Sequence, residues 1–543
     1  MTFPKRPEIG SNTLAVIVSL YLLAVGNLTF WRRAVEGFGV GPVFWGFALM
    51  VAALFIASAI AVSSRFLAKP IYIFLVLVSA PAAYFTDTFG TIIDRAMIEN
   101  AVTTTSGEAK YLVTWQFGLH ILLFGILPSL LILWVRVRHR PFFSKVIYNS
   151  AAVAALLLAA GGFLYSQLGA VVVTIRENHD MLEIINPSGP LTSAVNYSLS
   201  AYGERNLVRK QIATDAHRGP WISAEQKPVV TILVVGETAR SMNFSLNGYQ
   251  RQTNPELQKL DVLNFPYATS CGTDTAYSVP CMFSIYPRDA FSKRKAKATQ
   301  SLMDVVRRAG VDAYWWDNNT GSKGVADLIS FTSLTGEKDP VSCARGDCLD
   351  SVFLKRLDAL VGAAKKDTVV VLHQIGSHGP AYYMRYPEAF RKFQPDCRTP
   401  QLTNCSIDEV VNAYDNTILY TDHFLASVIG ILKKHNQTAA GAFLYMSDHG
   451  ESLGENGLYL HGAPYAIAPP EQTHIPMIAW LSPDYRNLSS LDDACLKQLP
   501  GRHYSHDNYF HTVLGLMNIQ TTVYKPELDV FKECRNIATG HTQ

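Results

Sequence analysis

Five stretches of the first 175 residues carry no charged side chain: Ile9–Trp31, Gly37–Ser64, Pro70–Thr86, Tyr111–Val135 and Val146–Ile175. A helix needs roughly 20 apolar residues to cross a bilayer. Four of the stretches meet that length comfortably. Pro70–Thr86 is short and holds Pro81. Buried helices of a globular protein rarely come five in a row with polar loops between them. The first run is long for a cleavable signal peptide, and further spans follow it. The expectation is a five-span membrane domain over residues 1–175.

Charge changes where the apolar stretches stop. Residues 1–173 hold 12 Lys/Arg and six Asp/Glu, the remainder 35 and 38. The overall 48% hydrophobic content therefore describes neither part, and it excludes global disorder. The net charge of +3 points to no particular partner. Basic residues in short loops mark the cytoplasmic side. Lys5 and Arg6 precede the first stretch, Arg65 and Lys69 follow the second, and Arg136, Arg138, Arg140 and Lys145 follow the fourth. Arg32 and Arg33 run against the rule. Five spans that start inside end outside, so residues beyond about 176 face the exterior.

The cysteines agree. All eight (Cys271, Cys281, Cys343, Cys348, Cys397, Cys405, Cys495, Cys534) lie beyond the apolar part, as disulfides on an oxidising side would. Many pairings are open. Spacing favours Cys271–Cys281, Cys343–Cys348 and Cys397–Cys405, which leaves Cys495–Cys534.

The longest loop between spans, Asp87–Lys110, carries Asn100, Thr104 and Glu108 at intervals of four. On a helix they share a face, which by spacing alone is a solvated face. Residues 176–227 mix Pro, Gly, Ser and Asn with charges and an apolar run at Met181–Ile185. They read as a linker with interfacial helices, ahead of a globular domain over 228–543.

In that domain Lys227–Gly236, Asp367–Gly376 and Ala440–Met446 are buried strands by composition. Ala313–Trp316 and His474–Trp480 are shorter candidates. Helices are predicted over Thr299–Ala309, Ser406–His435 and Asp507–Met517. The alternation implies an α/β domain with a mostly parallel sheet, whose ligands bind at the carboxyl ends of strands. At those ends stand Glu237, His373 with His378, and Asp448 with His449; His461 follows twelve residues later. Each alone is an ordinary loop residue, but together they suit zinc with nitrogen and oxygen ligands. The segment CGTDTAYSVPC places Thr273 and Thr275 at a helix start. There, free N–H groups suit phosphate. A nearby metal lowers a hydroxyl's pKa toward use as a nucleophile. The alternative is a capping threonine.

With these residues assembled, the chain resembles the phosphoethanolamine transferases of Gram-negative bacteria, including the lipid A-modifying and mobile colistin-resistance enzymes. The matching stretches are VVGETARSMNFSLNGY, TSCGTDTAYSVPCMFS, DNNTGSKGV, LHQIGSHGPAYYMRYP, NAYDNT, MSDHGESLGENGLYLHG and SHDNYFHTVLG. The resemblance implies an alkaline phosphatase/sulfatase-like periplasmic domain on an inner-membrane anchor. It implies a zinc site of Glu237, Thr275, Asp448 and His449, with Thr275 the nucleophile because it stands four residues after the first cysteine of the segment. His378 and His461 would hold the headgroup or a second zinc and assist catalysis. Asn319, Thr320 and Lys323 would touch substrate, as would Asn100, Thr104 and Glu108, against the solvated-face reading. Thr320 stands where some relatives have serine. Asp274 stands where they often have a small residue, adding negative charge beside the site.

The implied reaction moves phosphoethanolamine from phosphatidylethanolamine to lipid A phosphates or the lipopolysaccharide core, through an ester on Thr275, with release of diacylglycerol. Less negative surface charge would raise resistance to cationic peptides such as polymyxin. Membrane lipids are expected partners, nucleic acid is not, and a monomer is expected. A sulfatase-type hydrolase needs Cys or Ser in C/S-x-P-x-R, absent around Thr275. A phosphoglycerol transferase would share the zinc–threonine chemistry and differ in the headgroup released. A non-catalytic receptor would leave this constellation without a purpose.

Overall fold

The computed structural model describes residues 6–103, 106–168, 171, 174–175, 181–204, 207–220, 227–344 and 347–535. The chain divides into two compact units, Met1–Val102 with Leu112–Ser200, and Thr103–Tyr111 with Ala201–Gln543. The 176–227 segment thus contributes to both.

The first unit is helical. Four helices are long and apolar enough to cross a membrane: Pro42–Ala61, Ala68–Phe89, Trp115–Trp134 and Phe142–Ser166. The doubtful third stretch is a full 22-residue helix that runs through Pro81, its length completed by Ala68–Lys69 and Asp87–Phe89 at its ends. The first stretch differs from expectation. It is not one straight span but two helices, Ser11–Val25 and Leu28–Phe38, bent by 72°. The break is held by a side chain from far along the chain. The Asn27 amide donates to Leu22 O (2.9 Å) and Asn186 O (2.7 Å), and Asn186 N–H donates back to Asn27 Oδ1 (2.8 Å). Backbone groups freed at a bend in hydrocarbon need such partners. Arg32 and Arg33 therefore lie on the second limb of a bent pair and do not flank a straight span. Within the apolar run Met181–Ile185, Leu182–Ile184 form a turn, and Met181 and Ile184 are buried with Phe30, Phe44 and Phe47. A 17-residue helix follows at Ser188–Glu204.

The second unit is built on an eight-stranded sheet. In chain order its strands are β1 (Val229–Gly236), β2 (Leu263–Thr269), β3 (Asp312–Asp317), β4 (Ser330–Ser333), β5 (Thr368–His373), β6 (Ala440–Ser447), β7 (His474–Leu481) and β8 (Tyr504–Ser505). Their spatial order is β8-β2-β7-β6-β1-β5-β3-β4. All neighbours are parallel except β7, which runs against β2 and β6.

The unbroken apolar run of β1 is explained by its position. It lies between β5 and β6 with both faces covered. Successive side chains point to opposite faces, so Val229, Leu233 and Val235 enter one core and Val230, Ile232 and Val234 the other. The first core is closed by Leu302–Arg308 and His506–Leu516, the second by the 28-residue helix Ile407–Lys434. Ser406 starts that long helix with a reciprocal cap to Glu409, the arrangement that satisfies orphan N–H groups at a helix start. Three strands had no sequence signal. In β2 the cause is Pro266, which has no N–H for a ladder; the β2–β7 register shifts there, between the pairs Ile475–Ala268 and Met477–Phe265. The strands β4 and β8 are short edge strands.

Candidate active site

Register brings the acidic groups together. Gly236 of β1 pairs with Ser447 of β6, so Glu237 and Asp448–His449 leave the sheet side by side. On the other flank, Val235 pairs with His373 of β5, and His373 with Asp317 of β3. The loop after β5 then turns back at Gly376, whose φ of +48° would place a Cβ 2.7 Å from Glu237 O. Only glycine fits there comfortably.

Glu237, Asp448 and His449 are all fully buried, and one ligand atom from each lies within 4.8 Å of the others. Thr275 opens the helix Thr275–Met282, and its hydroxyl stands 3.1 Å and 3.3 Å from the Glu237 oxygens and 3.4 Å from His449 Nε2. His449 Nδ1 lies 2.8 Å from Gly450 O, so that nitrogen carries the proton and Nε2 faces the carboxylates with a free lone pair. Burial, with the charge of His461 second, pushes the His449 imidazole down to about 3, which keeps it neutral. Burial raises Asp448, and its Oδ2 makes no hydrogen bond among the described residues. Two buried carboxylates, an orphan oxygen and an imidazole lone pair facing one point are what a divalent cation satisfies. The oxygen and nitrogen donors fit zinc.

The two threonines separate clearly. Thr273 Oγ1 donates to Ala463 O at 2.6 Å, while Thr275 faces the cluster. The charge of Asp274 has a local use. It caps the helix by accepting from Tyr277 N–H at 3.0 Å, with Lys293 Nζ 3.8 Å away.

His378 and His461 stack edge to face at 5.4 Å, and His461 lies 4.5 Å from the His449 ring. The two are tuned in opposite directions. Burial, then the charge of His461, pushes His378 well below its ordinary value. Burial also opposes a charge on His461, but Glu451 Oε2 at 2.7 Å from its Nδ1 outweighs burial and raises it. Glu451 is fixed in turn by the Tyr382 hydroxyl at 2.6 Å.

Of the expected substrate contacts, Asn319 directs its amide at Glu237 Oε2 (2.6 Å) and Gln374 O (2.7 Å), which orients the carboxylate. Thr320 N–H donates to Asn319 Oδ1, and Lys323 Nζ to Thr320 O at 3.0 Å. Asn100 lies in the helix Arg95–Thr103 of the first unit. Thr104 lies outside the described residues, and Glu108 is described only as backbone of the helix Ser106–Leu112. From the end of that helix Lys110 reaches Asp347 at 3.0 Å; Asp347 also accepts from Arg385 at 3.0 Å, and Arg385 Nε donates to His378 O.

Three positions escaped the sequence reading. Glu451 and Tyr382 orient His461, and Glu451 could have been noticed as a second acid in the DHGE run. His506 is the third. Its Nδ1 accepts from Cys271 N–H at 3.0 Å and its Nε2 donates to Ser447 O at 2.9 Å. It thereby ties the Thr275 segment to the strand end that carries Asp448. The disulfides are Cys271–Cys281, Cys343–Cys348, Cys397–Cys405 and Cys495–Cys534, the pairing that spacing favoured.

Residues 230–519 match the sulfatase family, and residues 49–202 match the family described as phosphoethanolamine transferase EptA/EptB. The phosphoethanolamine transferase EptA of Salmonella typhimurium is 39% identical over 547 residues, covering 99% of both chains. The phosphatidylethanolamine transferase Mcr-2 of Escherichia coli is 39% identical over 494 residues, 88% of this chain and 90% of that one. The solved structure of the integral membrane protein lipooligosaccharide phosphoethanolamine transferase A from Neisseria meningitidis superposes with a TM-score of 0.93 at 37% identity, covering 97% of this chain and 100% of that one. The chain therefore belongs to the phosphoethanolamine transferase family, and is a membrane-anchored enzyme with an alkaline phosphatase/sulfatase-like catalytic domain.

Proposed function

We propose that the enzyme transfers phosphoethanolamine from phosphatidylethanolamine to lipid A, with a lipopolysaccharide core group as the variant acceptor, through a covalent ester on Thr275. The observation that carries this reading is the Thr275 hydroxyl, 3.1 Å from Glu237 and 3.4 Å from His449, at the first position of a helix. Glu237, Asp448 and His449, with that hydroxyl, would hold a zinc ion, and zinc when bound supplies the positive charge that lowers the hydroxyl's pKa and polarises a phosphoryl oxygen.

The chain's own groups account for the rest. Thr275 Oγ1 gives up its proton toward Glu237, to which its hydroxyl donates, and attacks phosphorus; the bond from phosphorus to the diacylglycerol oxygen breaks, and that oxygen takes a proton. His461, whose pKa Glu451 raises against burial, is the group suited to donate it. An acceptor oxygen then attacks the phosphothreonine ester, and the Thr275 oxygen leaves and regains its proton. Backbone N–H groups at the helix start favour the phosphoryl charge, and Lys323 adds a cation near it. Asn100, Thr104 and Glu108 hold the donor headgroup, with Glu108 pairing with the ammonium. The enzyme sits in the inner membrane with this domain in the periplasm, so the donor lipid and the catalytic domain belong to one compartment. One chain supplies every residue named, which suits a monomer. The added amine lowers surface negative charge and weakens binding of polymyxin-like peptides.

The test is mass spectrometry of lipid A from cells carrying wild type, Thr275→Ala or Thr275→Ser. Wild type adds phosphoethanolamine, Ser retains part of the activity, and Ala none. Transfer by the Ala variant at the wild-type rate refutes the reading.

A further inference from the structure

A cavity of about 970 Å³ opens in the helical unit between the second and third and the fourth and fifth apolar stretches. Four basic side chains line it, Arg65, His139, Arg140 and Lys145, and no carboxylate does. The rest of the lining is mostly apolar, with Phe66, Phe142 and Val153, beside the polar Ser64, Asn149 and Ser150. By the distribution of basic loops this is the cytoplasmic side.

A positive loop alone would give scattered, solvated cations. Here the surroundings are organised. Lys145 Nζ donates to Ser11 Oγ (3.1 Å), to Ser63 O and to His139 Nδ1 (2.9 Å). Asn149 donates to Ile60 O (3.1 Å) and Ser63 Oγ (3.0 Å). The ammonium is thus anchored at the cavity floor with its donors committed, so it contributes charge. With its Nδ1 accepting, His139 carries its proton on Nε2. Burial, then Lys145 and Arg65, hold that imidazole below its ordinary value.

The two arginines are different. Among the described residues neither Arg65 nor Arg140 forms an ion pair. Arg140 lies over the Tyr148 ring at 3.6 Å and Arg65 beside Phe66 at 5.8 Å. Two neighbouring cations do have partners. Arg138 meets Glu8 at 3.8 Å, and Lys69 donates to the carbonyls of Leu133 and Val135. Two unpaired guanidiniums, a committed ammonium and an apolar wall make a site for a phosphate anion that carries hydrocarbon. We propose that this cavity binds the phosphodiester headgroup of an anionic phospholipid of the cytoplasmic leaflet, with Arg65 and Arg140 donating to its oxygens and an acyl chain along the apolar wall.

The experiment uses the full chain in neutral-detergent micelles, titrated with phosphatidylglycerol, phosphatidylcholine or inorganic phosphate. Thermal unfolding and native mass spectrometry report binding. Phosphatidylglycerol should raise the unfolding temperature and remain bound in the gas phase, and the other two should not. In an Arg65→Gln/Arg140→Gln variant the affinity for phosphatidylglycerol should fall roughly 25-fold, about a factor of five for each cation at a membrane surface. Transfer by the catalytic domain should survive. Equal retention of phosphatidylcholine by wild type overturns the proposal without recourse to a variant. So does undiminished phosphatidylglycerol binding by the double variant. An equal shift with inorganic phosphate overturns the lipid assignment in favour of a free anion.

Discussion

Replacing His506 tests whether the Thr275 segment and the strand end that carries Asp448 are held together by one side chain. His506 is 1% exposed, and the two backbone groups it bonds, Cys271 N–H and Ser447 C=O, are buried as well. A buried polar group left without its partner costs about 1–3 kcal/mol. His506→Ala orphans two, so a loss of roughly 2–6 kcal/mol is expected. Isosteric variants divide this. The Asn oxygen reaches the Nδ1 position and keeps the Cys271 bond, and the Gln amide reaches the Nε2 position and keeps the Ser447 bond. Each should lose about 1–3 kcal/mol. Burial also holds this imidazole down to about 4. Between that value and an ordinary 6.5 the unfolded chain binds the extra proton. Stability is therefore complete above about pH 6.5 and falls as pH drops toward 4. This pH-dependent component should vanish in the Gln variant. Urea unfolding of the full chain in micelles, with exchange of the Cys271 amide as a local probe, measures both. A change under about 0.5 kcal/mol in His506→Ala, or unaltered Cys271 exchange in the Gln variant, refutes the reasoning.

Glu451→Gln removes the charge that outweighs burial at His461. The imidazole's pKa should fall, and a limb of activity that needs protonated His461 should move to lower pH in the pH–rate profile of transfer. An unmoved limb means that His461 is not the acid. Asp347→Ala and Lys110→Met should differ in size. Arg385 is 2% exposed at its side chain and loses its carboxylate in the first variant. A loss of about 3–5 kcal/mol is the scale for such an orphaned cation. Lys110 is 45% exposed at its side chain, and its loss should cost under about 1 kcal/mol. Thermal unfolding of the two variants, side by side, checks the contrast.

The parts of the molecule legible in the sequence are those whose cause is local. The run KPVVTILVVG reads as a central strand because both its faces are buried, and a 22-residue helix through Pro81 is nearly legible from its apolar content. Glu237, Asp448 and His449 follow strands directly, so their residue types and the position of ligand sites in parallel sheets suffice to single them out. What escaped depends on distant partners. The bend after Val25 rests on Asn186, 159 residues from Asn27. The strand β2 is broken at Pro266 and recovered by pairing with β7 and β8. Neither the hold of Glu451 on His461 nor that of His506 on two loops has a sequence period. The resemblance implies a substrate contact at Asn319, and the structure adds the bond of its amide to Glu237. The resemblance located the residue without stating which neighbour its amide meets.

The central claim is the ester on Thr275. The direct measurement is rapid quenching of the full-length enzyme with phosphatidylethanolamine and no acceptor, followed by peptide mass spectrometry. The account predicts phosphoethanolamine on the peptide spanning Cys271–Cys281, localised to Thr275, formed as diacylglycerol appears and discharged when lipid A is added. Diacylglycerol release with no adduct, or with the adduct on Thr273, contradicts it.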